Sequence, residues 1–61
     1  MRNDIVEITC YGSTRKYKRY DAMREFKEGI YSSDGSERDR YEYIYFQLED
    51  GATIINDENA L

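Results

Sequence analysis

The chain has 61 residues, 39% of them hydrophobic, with seven tyrosines and two phenylalanines, one cysteine, no histidine, no proline and a net charge of −4. That length allows one small domain, in which about 60% of the unfolded chain's surface is buried, and the aromatic content sets it apart from disordered acidic peptides. A single thiol excludes an internal disulfide, no apolar run approaches the about 20 residues of a membrane span, and the acidic balance gives no general attraction for nucleic acid or anionic lipid.

Small secreted domains usually depend on disulfides, so a cytoplasmic, reducing setting is expected. The start of the chain has no signal-peptide-like apolar region. Residues 1–57 read as one α+β domain and residues 58–61 as a flexible C-terminal tail.

Ile5 to Tyr11 is rich in β-branched residues and predicts a strand. Val6, Ile8 and Cys10 share one face; Ile5, Glu7, Thr9 and Tyr11 share the other. Gly12-Ser13 fits a two-residue type II′ turn. The return strand, Thr14 to Arg19, then sets Tyr17 opposite Ile8 and Lys18 opposite Glu7, both favourable cross-strand pairs.

Asp21 is the expected N-cap of a first helix that places Ala22, Met23, Phe26 and Ile30 on one side. Gly29 lies within it at a cost of about 1 kcal/mol in helix propensity, which a close approach by another element would offset. Ser32-Ser33-Asp34-Gly35 predicts a turn, with Gly35 as the C-terminal stop and Ser36 as the next N-cap.

Tyr41 to Leu48 admits two readings. As a helix, Tyr41, Ile44, Tyr45 and Leu48 form a stripe at i, i+3, i+4 and i+7. As a strand, Tyr-Glu-Tyr-Ile-Tyr-Phe has high β propensity, and Asp50-Gly51 would turn it into Ala52 to Ile55. The acidic first turn Ser36-Glu37-Arg38-Asp39 favours the helix, with Ala52 to Asn56 as a third strand. The expected fold is therefore ββααβ, a three-stranded sheet with two helices on one face. The alternative is ββαββ with residues 41–56 as a hairpin.

Gly35-Ser36-Glu37-Arg38-Asp39-Arg40-Tyr41, followed by Ile44, Leu48, Gly51 and Asp57, resembles a family of small uncharacterised proteins of gut-dwelling Gram-positive bacteria that often accompany mobile genetic elements. The resemblance spans most of the chain and implies a hairpin, a helix ending in a small-residue turn, and this signature. It implies no activity. The chain departs from the pattern at Tyr43 and Tyr45.

No catalytic constellation stands out. Histidine, the commonest general base, is missing, and Cys10 on an inward strand face reads as a small core hydrophobe rather than a nucleophile. Asp34-Gly35-Ser36-Glu37 lacks the spacing of a calcium loop, and one cysteine is not a zinc site. No catalytic residue, metal ligand or cofactor is assigned.

Binding surfaces are better marked. Arg15, Lys16, Lys18 and Arg19 cluster without an acid among them, interleaved with Tyr17 and Tyr20, a pattern that can track phosphates or simply guard a strand edge. If Tyr41, Ile44, Tyr45 and Leu48 face the core, Tyr43 and Phe46 are left on the opposite side of their helix as a partner-binding pair. The expected function is non-enzymatic binding to a partner protein or a second copy of this chain. A nucleic-acid accessory role through residues 15–19 is the alternative, and no membrane association is expected.

Overall fold

A computed structural model describes residues 1–60. Strand β1 (Ile5–Cys10) is followed by β2 (Ser13–Lys18), helix α1 (Arg19–Ser32), helix α2 (Gly35–Glu49) and strand β3 (Ile54–Asn56). A single 3₁₀ turn, Asp57–Ala60, comes next and takes in residues 58–60 of the segment read as a tail, and Leu61 lies outside the described residues. The fold is ββααβ as expected: Tyr41 to Leu48 is helix, not the first arm of a hairpin. No helix among the described residues is long and apolar enough to cross a membrane.

The sheet is mixed, in the order β2-β1-β3. β2 returns antiparallel to β1 through a tight turn, whereas β3 lies parallel to it, and the two helices supply the long crossover that a parallel neighbour requires.

The hairpin turns one residue earlier than its sequence suggests. Tyr11 and Gly12 both have positive φ, 52° and 78°, which is the type I′ geometry whose twist matches the flanking strands. Val6 therefore faces Tyr17 and Glu7 faces Lys16, in place of the expected Ile8–Tyr17 and Glu7–Lys18 pairs. Each partner moves by two positions, so every side chain keeps its face. Tyr11 is held in a region that a bulky residue rarely adopts. Its N–H donates to Asp57 Oδ2 (3.0 Å), and the Arg40 guanidinium lies 4.6 Å from its ring centroid.

Both helix starts also differ from expectation. α1 begins at Arg19 directly after β2, with Lys18 as its N-cap, so Asp21 is the third helical residue. There it still complements the helix dipole and pairs with Arg24 at 3.2 Å. α2 begins at Gly35 with Asp34 as N-cap, which puts Ser36 inside the first turn and not at the cap. Gly35 has φ +61°, the left-handed conformation that reverses the chain between the helices.

Val6 and Ile8 of β1, Ala22 and Phe26 of α1, Ile44 and Leu48 of α2, and Ile55 of β3 form the buried core. Tyr17 and Tyr41 border it. Their rings pack on Phe26, at centroid distances of 5.9 and 5.8 Å. A tyrosine at such a margin buries its ring while its hydroxyl can reach water. The opposite sheet face carries Ile5, exposed by 57%, and Ile54, exposed by 77%.

Two arginines tie the elements together. Arg19 is buried, and its guanidinium donates from Nε and Nη2 to the Asp4 carboxylate at 2.7 and 3.1 Å. Nη1 reaches the carbonyls of Leu48 and Ala52 at 2.8 and 3.0 Å, and Nη2 that of Gly51 at 3.3 Å. Leu48 lies in the last turn of α2, and Gly51 and Ala52 follow it in the connection to β3, so Arg19 gathers the backbone acceptors where the chain leaves the helix. Arg40 plays the corresponding part at the other end of the sheet, donating to the buried Asp57 carboxylate at 2.8 Å.

Candidate binding surfaces

Arg19 does not belong to a basic strand. It is the first residue of α1, and every donor of its guanidinium is engaged inside the protein, so it must be removed from the polyanion-contact group. Arg15, Lys16 and Lys18 remain exposed and, among the described residues, take part in no salt bridge. Strand alternation splits these three between two faces. Arg15 lies with Ser13 and Tyr17 on the helix side, whereas Lys16 and Lys18 share the open side with Thr14.

β2 is also an edge. The Glu7 N–H donates to the Thr53 carbonyl (2.8 Å), so the odd residues of β1 turn their main chain towards β3 and the even ones towards β2. Ser13, Arg15 and Tyr17 therefore complete the ladder with Cys10, Ile8 and Val6. Thr14, Lys16 and Lys18 direct their main-chain N–H groups outward.

Between the helix side of β2 and the helices lies a cleft of about 350 Å³. Tyr17, Phe26 and Tyr41 supply aromatic walls, Cys10 and Gly29 contribute beside them, and Ser13, Arg15 and Glu25 bring polar groups. Gly29 allows this arrangement, because a Cβ at that position would lie 2.9 Å from Tyr41 Cδ2. The sequence marked Gly29 as a point of close approach without identifying the ring that approaches it.

Cys10 is half-buried. Burial first, and then the nearby Asp57 carboxylate, push its thiol up to about 11, so near neutral pH it is a protonated, weakly nucleophilic group. Burial also pulls Asp57 upward, but the Tyr11 N–H and the Arg40 guanidinium outweigh that and hold its carboxyl below 3.8. Among the described residues, Asp57 Oδ1 has no hydrogen-bond partner. The Asp4–Arg19 and Arg40–Asp57 pairs have no local sequence signal, since each joins residues distant in the chain.

On α2, Tyr43 and Phe46 do not form the expected pair. Tyr43 packs partly against the core, whereas Phe46 is exposed by 57%. The ring next to Phe46 is that of Tyr45, edge-on at 6.1 Å, although Tyr45 was expected in the core stripe.

Fold and surfaces together define a small mixed α+β domain with one open sheet face, a free basic edge strand and, on α2, a ridge of exposed Phe46 beside half-buried Tyr45. Comparison with known protein families, curated proteins and solved structures finds no match for this chain.

Proposed function

We propose that the chain is a non-enzymatic, cytoplasmic binding module that acts through contact with another protein, self-association being one form of that contact. The observation that carries this reading is the exposed Phe46 ring beside Tyr45 on α2. A helix anchored by Ile44 and Leu48 presents these rings on a rigid support, and aromatic side chains are enriched in protein interfaces. Covering them would contribute at about 25 cal/mol per Å² of apolar surface, before the cost of association is subtracted.

Nucleic-acid binding is the weaker reading. Only Arg15, Lys16 and Lys18 remain for it, they divide between two faces, and the net charge of −4 opposes a polyanion.

The test substitutes Phe46→Ser. The surface position predicts a stability change within about 0.5 kcal/mol, read by thermal melting. Light scattering across concentrations and pull-down from the native lysate then compare the two proteins. Loss in the variant of an association made by the wild type supports the proposal. Unchanged association, or a wild type that associates with nothing, overturns it.

A further inference from the structure

We infer that β2 is a docking edge for an extended acidic segment of another protein, which adds to the sheet as a fourth strand and seats an apolar side chain in the cleft beside α1. This goes beyond the Phe46 ridge and uses a different surface, although it rests on the same reading of the chain as a protein-binding module.

Three features meet at this edge. The first is the main chain. β2 is the terminal strand of the sheet, and along it Thr14, Lys16 and Lys18 leave main-chain donors unpaired among the described residues. Thr14 and Lys16 also leave their carbonyls free, whereas Lys18 is the N-cap whose carbonyl begins α1. An added strand supplies the missing partners, as in other recognition by strand addition.

The second feature is the cleft. Side chains of an added strand alternate between the two sheet faces. Those on the helix side reach the opening beside Tyr17, Phe26 and Tyr41, whose about 350 Å³ can take a leucine or phenylalanine side chain. Those on the open side lie beside Thr14, Lys16 and Lys18.

Charge identifies the occupant. Arg15, Lys16 and Lys18 are exposed and without salt-bridge partners among the described residues, in a chain that is acidic overall. Opposite charges directly across a ladder stabilise it and like charges destabilise it. A second β2 would set the same cations against one another, so self-pairing at this edge is disfavoured. The lysines thus protect the edge from its own kind, a common use of edge lysines, while admitting a strand with carboxylates on its open-face side. Glu7, one strand inward from Lys16, favours a carboxylate placed nearer Lys18.

The probe is a synthetic peptide of about six residues, the length of an ordinary strand, alternating glutamate with leucine or phenylalanine. Titration into isotope-labelled protein is followed by amide shifts and hydrogen exchange. The expected result is slowed exchange at the Thr14 and Lys16 amides, with contacts from the peptide's apolar side chain to Tyr17, Phe26 and Tyr41. Replacing its glutamates by lysines should abolish binding, and so should N-methylation of the amides that face β2, which leaves the charges intact. Lys16→Glu with Lys18→Glu should weaken binding by about tenfold or more.

Phe46→Ser should leave peptide binding unchanged, which separates this inference from the ridge reading. Absence of binding at millimolar peptide overturns the inference. So does equal binding of the N-methylated peptide, or a preference for a single-stranded oligonucleotide over the acidic peptide.

Discussion

Gly29 lies where α1 runs against the ring of Tyr41, and a Cβ there would approach Tyr41 Cδ2 to 2.9 Å. Gly29→Ala gains about 1 kcal/mol in helix propensity. It also forces a displacement of Tyr41, and overpacking of this kind costs about 1–3 kcal/mol. The overlap wins, so a thermal melt should show a net loss of stability; a raised melting temperature would mean that Tyr41 moves freely. Cys10 behaves differently. With its thiol pushed up to about 11, thiolate at pH 8 is scarce. Labelling of the native protein by a thiol reagent should run about a hundredfold slower than in urea, and equal rates would contradict the assigned environment. Several residues from Gly35 onward have structural tasks: Gly35 reverses the chain, Arg40 pairs with Asp57, Tyr41 packs on Phe26, and Gly51 gives its carbonyl to Arg19.

The two ends of α2 are held differently, the first by adjacent residues and the last by a group remote in sequence. Ser36 has the residue type of an N-cap, and a capping Ser→Ala change costs about 0.5–2 kcal/mol. Asp34 occupies the cap position, with no side-chain cap hydrogen bond, and Ser36 is exposed in the first turn. Ser36→Ala should therefore change stability by less than about 0.5 kcal/mol in a urea melt; a larger loss would restore it as the cap. The other end depends on Arg19, which joins the Leu48 carbonyl in the last turn of α2, and the Ala52 carbonyl just beyond the helix, to Asp4 ahead of β1. Amphipathic spacing made the helix legible, through Ile44 and Leu48. It could not reveal its closing group, because Arg19 stands 29 residues before the Leu48 carbonyl it caps.

The whole molecule has a small core, so the two semi-buried ion pairs among the described residues, Asp4–Arg19 and Arg40–Asp57, set its response to acid. The Arg19 hydrogen bonds hold Asp4 below 3.8. Asp57 is also lowered: burial opposes ionisation, but the Tyr11 N–H and Arg40 prevail. In both cases the unfolded chain takes up its proton first as pH falls. Their contribution to stability is therefore complete near neutral pH and is lost as pH falls below about 4. Urea melts at pH 7, 5 and 3 should show little change between the first two and a marked loss at the third. Asp4→Asn should flatten the acid branch of that profile. An unchanged slope would mean that other carboxylates control it.

Local pattern favoured the order ββααβ over its hairpin alternative, marked the inward face of β1 and the Ile44–Leu48 seam of α2, and placed the hairpin to within one residue. These follow from local periodicity and from β-branched, glycine and aromatic content, which act over a few residues. Shifting the hairpin partners by two positions kept every side chain on its face, so the mistaken register did no harm to the predicted core. It took the packing of the elements to make Arg19 internal, to turn Tyr43 towards the core and leave half-buried Tyr45 beside Phe46, and to make β2 a free edge beside a cleft. Each of these depends on which elements become neighbours. The sequence placed the clustered cations correctly along the chain, but whether a charge meets solvent or a helix end is fixed only by the packing around it.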